Sequence, residues 1–373
     1  MRFADLISDI EVVAAVGTGR RALLKRGIQN KLYQYAASYD WPHYRTRGTL
    51  QTVNDYTTGT VTATNASKTI TGSSTVFTAT MVGRKFRVSG EAAWYDIAAF
   101  VSTTELTLTQ AYQGTTASGS SFIIFQDEYK LDADVHKLLN LRQVETGLVM
   151  VGMTYGDFDD RNPRGDTLDN PTFFTLLGRQ DDRYTTGTIS VTASNRTLTG
   201  TSTVWTSVPG LTKGSRISLD DTDEVFTVQQ VVSDTSITVY ELPVTTDAST
   251  TYRVFLNNLM VQVGAVPDAQ RNLYYRYQRI PYPLVNDEDE PDLPREYHYG
   301  MTSAGLAVAY RILGNETAAL EADTQWKEWI ALQIMQIGHG DPALSFPRTS
   351  VDAHLGMLSG PRLGPGVGYP VWL

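Results

Sequence analysis

"TTGTVTATNASKTITGSSTVFT", Thr57 to Thr78, is spelled again as "TTGTISVTASNRTLTGTSTVWT", Thr185 to Thr206, and the residues between the two look like neither copy. Each copy is a series of short Thr-, Val- and Ile-rich runs broken by Gly, Asn and Ser, the composition of brief strands joined by tight turns. The likeness continues downstream. Gly72 answers Gly200, Phe77 answers Trp205, "VSTTELTL" from Val101 answers "VSDTSITV" from Val232, and "AS" recurs at Ala117 and Ala248. This order of parts reads as a duplicated small antiparallel β-domain, once over 57–126 and again over 185–256. Two copies are too few for a solenoid, which needs at least three stacked repeats.

The flanking segments follow other rules. In residues 1–56, Leu6, Ile7, Ile10, Val13 and Ala14 recur at helical steps up to the "GTG" at Gly17 to Gly19. Leu24, Ile28, Leu32, Tyr35 and Tyr39 then form a second stripe that stops at Trp41-Pro42. Residues 127–184 read as a further piece of the same body. Residues 257–337 show strand spacing at Leu259, Val261, Val263, Leu273, Tyr275 and Tyr277, then two helices, the first from near Pro294 to Gly314-Asn315. The second carries Ala319, Asp323, Lys327, Ile330, Ile334 and Ile337 at helical steps, with Trp326 and Trp329 beside them. The expected class is α+β: a core built as a bundle of four helices, two duplicated β-domains inserted into it at surface loops, and an extended tail. That tail, 338–373, is rich in Gly and Pro and has no apolar period, yet it carries Phe346, Leu355, Met357, Leu358 and Leu363 and finishes "GYPVWL". Apolar side chains on such a segment suit an interface.

Composition narrows the function. The 373 residues, 41% hydrophobic and 19% charged, are those of a folded chain with room for several domains. No window approaches the roughly 20 continuous apolar residues of a membrane span. Acids interrupt the first apolar stretch, so no secretory h-region is read there and the chain is expected to stay where it is made. A net charge of −9 argues against a broad nucleic-acid-binding surface. The chain has no cysteine, which removes disulfides, thiolate metal sites and a cysteine nucleophile.

Catalytic constellations are thin, and no enzyme, cofactor or metal site is expected. His43, His136, His298, His339 and His354 form no HExxH or His-x-His pair. No G-x-S-x-G elbow occurs. Gly17-Thr18-Gly19 follows a helix rather than a strand, and "GPRLGPGVG" from Gly360 lacks the Lys-Ser/Thr of a phosphate loop. Asp157, Asp159 and Asp160 begin like a calcium loop, but Arg161 and Asn162 stand where a ligand and the turn glycine belong. "DDTDE" from Asp220 reads as a turn between strands, and "RGD" at Arg164 as coincidence. "NDEDEPD" from Asn286 reads as acids favouring a helix N-terminus or as a solvated face that meets a basic partner.

"ALLKRGIQNKLYQYAASYDWP" from Ala22, "DEYKLDADVHKLLNLRQV" from Asp127, "PTFFTLLG" from Pro171 and above all "YYRYQRIPYPLVNDEDEPDLPREYHYGMTSAGLAVAYRILGN" from Tyr274 resemble the core of tailed-phage head-tail adaptor, or connector, proteins. The resemblance implies a dodecameric ring of copies of this chain beneath the portal vertex, in the neck of a virion assembled in the host cytoplasm. The ring would join capsid to tail and continue the channel through which DNA passes without specific binding. It implies as partners the portal protein and tail, nozzle or fibre proteins, with no membrane. A C-terminal arm grips the portal in such proteins, and here Phe346, Arg348, Arg362, Tyr369, Trp372 and Leu373 would be its anchors, because aromatics and Arg carry most interface energy. The β-units resemble Thr/Gly-rich modules of phage tail and neck proteins. A second reading is a nozzle or fibre-type protein whose β-units hold carbohydrate through Trp94, Tyr95 and Trp205; a third, a virion-associated hydrolase, needs paired carboxylates in a cleft.

Overall fold

The computed structural model describes residues 1–162, 168–222, 224–284 and 286–340. Helices α1 (Phe3–Ala14) and α2 (Arg21–Ser38) lead into strand β1 (Arg45–Gln51). The first repeat supplies β2 (Thr60–Ala63), β3 (Thr69–Ser73), β4 (Lys85–Val88), β5 (Tyr95–Ser102), β6 (Glu105–Leu108), β7 (Ala117–Ser120) and β8 (Phe122–Phe125). Between the repeats come β9 (Glu128–Lys130), β10 (Val135–Gln143), β11 (Val151–Gly152), α3 (Tyr155–Arg161), β12 (Leu168–Asp169) and β13 (Phe173–Tyr184). The second repeat supplies β14 (Thr188–Val191), β15 (Thr197–Thr201), β16 (Arg216–Leu219), β17 (Val225–Ser233), β18 (Ser236–Val239), β19 (Asp247–Thr250) and β20 (Tyr252–Gly264). After it follow β21 (Val266–Pro267), β22 (Asn272–Arg279), α4 (Gly300–Leu313) and α5 (Glu316–Gly340).

The two repeats share one strand order, β7-β2-β3-β6-β5-β4-β8 in the first and β19-β14-β15-β18-β17-β16-β20 in the second. Their common spelling is explained by a clamp at one end of each module. The backbone N–H groups of Gly72 and Gly200 donate to Thr104 O and Thr235 O, at 2.7 and 2.9 Å, in the turns between β5 and β6 and between β17 and β18. Thr75 Oγ1 donates to Thr103 O at 3.0 Å, and Thr203 Oγ1 donates to Asp234 O. A Cβ on Gly72 or Gly200 would fall inside the threonine three positions on, so glycine is required there. Tyr56 and Tyr184, just before each module, accept from the N–H of Val76 and Val204 at 2.7 and 3.1 Å.

Among the differences between the two cores, one exchange is coupled. Phe77 meets Phe122 edge-on in the first module, at 5.9 Å between centroids, and Trp205 meets Tyr252 in the second at 6.1 Å. A buried indole needs an acceptor. Tyr252 supplies it, taking Trp205 Nε1–H at 2.9 Å and passing its own proton to Thr186 O at 2.8 Å.

By contact the described residues divide into two units, one of Asp5–Lys31 with Met1 and residues 295–340, the other of Arg2–Ala4 and the described part of Leu32–Pro294. In the helical unit, Gly305 lies against Ile10 and Ile28, Gly27 against Val308, and Gly300 against the Trp329 ring, so three glycines let helices approach closely. Gly314, at φ +77°, ends α4, and Asn315 Oδ1 accepts from Ala318 N at 3.2 Å to start α5. Lys31 Nζ lies 2.5 Å from Asp323, which also pairs with Arg311. Burial alone would raise the Asp323 carboxyl, but the two cations hold it below its usual range.

The expectation of a helical-bundle core carrying small inserted β-domains is overturned: strand makes up 37% of the protein and helix 27%, and the sheets are large. The segments between and after the repeats are themselves sheet. β1, β22 and β10 form a three-stranded antiparallel sheet. β13 and β20 pair antiparallel from Phe173↔Gly264 to Tyr184↔Val254, so the second repeat's sheet runs on into the body as one ten-stranded sheet. The physical reason is that β13 and β20 together bury Phe174, Val261 and Val263 in one core with Tyr129, Leu131, Leu141, Leu273, Tyr275 and Tyr277.

Other expectations shift locally. α4 begins at Gly300 rather than near Pro294. On α5 the buried positions are Ala319, Ala322, Asp323, Trp326, Trp329 and Gln333, so the face is turned toward the tryptophans and away from Lys327, which is exposed. Val13 is 60% exposed, although Leu6, Ile7, Ile10 and Ala14 are buried. α5 extends to Gly340; the rest of the expected arm lies outside the described residues.

Gly72→Ala should lower stability by roughly 1–3 kcal/mol through overpacking. Thermal unfolding should show part of that loss recovered in Gly72→Ala/Thr75→Ala, where the obstructing side chain is gone.

Candidate functional site

The most concentrated set of perturbed polar groups lies in the larger unit, where the strand turn before β10 meets β22 and the second repeat. The residues before β10 are held from several sides. Asn258 Nδ2 donates to Leu131 O at 2.7 Å, and Ala133 N donates to Thr212 Oγ1 at 2.9 Å. Tyr275 Oη accepts from Asp132 N at 3.2 Å and donates to Asp132 Oδ2 at 2.7 Å. Tyr277 Oη donates to Asp134 Oδ1 at 2.9 Å. These two tyrosines reach the two aspartates because β22 points alternate side chains inward. Gly214, at φ +89°, packs on the Asp134 backbone where a Cβ would not fit.

A second layer closes this junction. Lys213 Nζ donates to Tyr282 Oη at 2.6 Å, Tyr282 stacks on Tyr240 at 4.7 Å, and the Arg279 guanidinium lies 4.0 Å from the Tyr282 ring centroid. Arg279 pairs with both oxygens of Asp292, one at 2.8 Å. The acidic segment is thereby absorbed within the chain: Asn286 donates to Tyr240 O, Glu288 pairs with Arg196 at 2.9 Å, and Asp292 holds Arg279. These are the contacts of a segment that docks the second repeat, in place of a helix N-terminus or a free acidic face.

Burial pushes the Asp134 carboxyl up to about 6, against the lowering effect of the Tyr277 hydroxyl. Burial likewise raises Asp132. Paired carboxylates with one raised value are what acid–base catalysis uses. Here Asp134 is 5% exposed and Tyr277, its hydrogen-bond donor, 4% exposed, so Asp134 is closed to a substrate and forms part of a structural junction, while Asp132 is half-buried. Sequence reasoning missed it, although the alternation in "YYRYQR" places Tyr275 and Tyr277 on one face.

No family model and no curated protein matches this chain. Its function is therefore read from its own geometry.

The sequence-chosen groups are scattered. Phe346, Arg348, Arg362, Tyr369, Trp372 and Leu373 lie outside the described residues, as do His354, "GPRLGPGVG" and "RGD". Asp157, Asp159 and Asp160 lie on helix α3, where Thr154 caps Asp157 N at 3.3 Å, and not in a calcium-type loop. Among the described residues no group of three His, Asp or Glu side chains is placed to hold a metal ion, and no helix is long and apolar enough to cross a membrane. His43 packs against Tyr44 at 4.4 Å, and His298 accepts from or donates to the Met1 amino group at 3.2 Å. In "DDTDE", Asp220 pairs with Arg253 at 3.0 Å and Asp221 accepts from Thr250 at 2.6 Å. Trp205 and Tyr95 are core residues and offer no stacking face. Trp94 is 41% exposed, with Lys85 Nζ 4.4 Å from its centroid.

Exposed aliphatic side chains occur on both units, Val244 of the larger one being 83% exposed, and on the helical unit they fall on α1 and α5. Val12 is 81% exposed on α1, and Leu320 and Leu332 are 61% and 56% exposed on α5. At 100° per residue Leu320, Met335 and Leu332 span about 120° of α5, on the far side from Trp326 and Trp329. α5 thus shows apolar groups on two sides.

Because the folded-state value of Asp134 lies above its unfolded value, its ionisation opposes folding. Asp134→Asn should exceed the wild type in stability by roughly 2 kcal/mol at pH 7. The gap should narrow as pH falls below 6 and close only near the unfolded value of about 3.9, where the carboxyl is protonated in both states; thermal unfolding of both proteins from pH 7 to pH 4 checks it.

Proposed function

We propose that the protein is a structural virion component, a head-tail adaptor that forms a ring beneath the portal, joins capsid to tail and continues the DNA exit channel. The supporting observation is the exposed aliphatic surface of the helical unit, Val12 and Val13 on α1 and Leu320, Leu332 and Met335 on α5. Helices of a lone protein keep such side chains inward, and apolar groups on two sides of α5 suit a helix with neighbours on both. The blocks that resemble adaptor cores supply α2 and α4 of that same unit and strands β9, β10, β13 and β22 of the other. The repeats enlarge the surface available to fibres, tail parts or adjacent subunits.

The ring would lie in the virion neck, with the portal on one side and tail or nozzle proteins on the other. The C-terminal arm, with Phe346, Arg348, Arg362, Tyr369, Trp372 and Leu373, is the portal grip in this reading. The carbohydrate-binding alternative has less support, because two of its three rings, Trp205 and Tyr95, are buried.

Native mass spectrometry of the protein mixed with the portal ring of its particle tests the reading. A closed ring of subunits on the portal is expected, lost when the chain ends at Gly340. Leu320→Glu/Leu332→Glu should abolish the ring while leaving thermal stability within about 0.5 kcal/mol, as exposed substitutions do. Absence of any portal complex with the full chain would overturn the proposal.

A further inference from the structure

The sheet β1-β22-β10 has one face on the core and one in solvent, and the solvent face has an unusual composition for so acidic a chain. Cross-strand pairing fixes which side chains share it. Arg47 stands opposite Arg276, which stands opposite Asn140. In the next row Thr49, Tyr274 and Arg142 are partners, and Arg142 is bridged on its other side by Val149. Arg47, Arg142, Arg276 and Val149 are exposed, and Tyr274 is 39% exposed in their midst.

Like charges directly opposite across a strand pair destabilise a sheet, and Arg47 and Arg276 are such a pair. Among the described residues none of the three arginines has an ion-pair partner. The nearby carboxylate of Glu145 is occupied, accepting from Asn272 N at 2.9 Å and Asn272 Nδ2 at 3.0 Å. Arginines around a central tyrosine, with an adjoining aliphatic, match the composition of interface centres. An anionic partner would relieve the repulsion.

The same chain carries the complementary surface. On α3, Asp159 and Asp160 are exposed and without ion pairs among the described residues, and Tyr155, one turn before Asp159, is 59% exposed. We propose that the Arg47/Arg142/Arg276 face with Tyr274 receives the Asp159/Asp160 side of α3 from a second copy of this chain. A contact between two different faces is heterologous, and repeated it generates a ring when its rotation closes and an open filament when it does not. The contact deepens the ring reading, resting on it only in taking a second copy as the occupant. Nucleic acid is the disfavoured occupant, because the net charge of −9 repels a polyanion at long range.

Charge exchange in the full chain tests the contact, with oligomeric state read by sedimentation velocity at low and high salt and by native mass spectrometry on the portal ring. The wild type should self-associate, more weakly at high salt. Arg47→Glu/Arg276→Glu and Asp159→Arg/Asp160→Arg should each weaken association about tenfold or more. An equimolar mixture of the two variants should restore it, since every contact then joins opposite charges. Unfolding curves identify a variant that fails to fold, and Tyr274→Ala then serves as a charge-neutral second probe of the same face. Unchanged association in folded variants, no restoration on mixing, or a wild type that is monomeric both alone and with portal overturns the contact. Binding of duplex DNA that the arginine reversals abolish, with association unaffected, would assign the face to nucleic acid instead. A ring on the portal that ignores these changes sinks this contact and leaves the adaptor reading standing. Salt-sensitive self-association without portal binding does the reverse.

Discussion

The pairing of β13 with β20 is the constraint on which the larger unit depends. These two long strands run side by side from Phe173↔Gly264 to Tyr184↔Val254, with one register shift at Leu176/Gly178. One end of the ladder belongs to the body, where β11 pairs in parallel with Phe173 and Phe174 and β9 pairs with Met260 to Gln262. The other end is the last strand of the second repeat, where β16 pairs with Tyr252 to Phe255. The repeat therefore grows out of the body sheet. A one-residue slip along the ladder would turn Val261 and Val263 to solvent and lose the core they share with Leu273 and Tyr275.

The polar junction follows from that ladder. Once β20 is placed, Asn258 holds Leu131, and the turn carrying Lys213 and Gly214 comes down on Asp132 and Asp134. Burying two carboxylates is costly unless each is hydrogen-bonded. Tyr275 and Tyr277 meet that need from β22, while Arg279 and Asp292 neutralise each other one layer out. The first repeat is joined by a smaller version of the same device. Lys85 on β4 reaches Asp127 and Glu128 at 2.9 and 2.8 Å just beyond β8, and Gln262 on β20 donates to Asp127 at 2.7 Å. Each junction combines charged groups with hydrogen bonds, which fix orientation more sharply than apolar contact does.

Duplication has kept the clamp and varied the core. Gly72 and Gly200, Thr75 and Thr203, and Tyr56 and Tyr184 act alike in the two modules, because backbone donors and a close approach leave little choice of residue. Phe77 with Phe122 and Trp205 with Tyr252 differ, because a core accepts any pair that fills its volume and satisfies its polar atoms. As a consequence only the second module carries a buried indole, Trp205, in its core.

The repeated spelling, the breaks at glycine and the helical steps of α1 and α2 were legible in the sequence because they are local: turns, strand period and helix period depend on neighbours in the chain. The inward Tyr275 and Tyr277 and outward Tyr274 and Arg276 were equally legible as alternation. What those residues meet was not. Whether a segment stands alone or joins a ten-stranded sheet depends on a partner strand distant in sequence, as β13 finds β20, and β13 has no alternation of its own to announce a strand, so the balance of sheet over helix was misjudged. The pairing of Arg47 with Arg276, of Tyr277 with Asp134 and of Asp323 with Lys31 likewise joins residues more than a hundred positions apart. Only folding brings such groups within bonding distance, and the low dielectric of the interior then decides which of them stay charged.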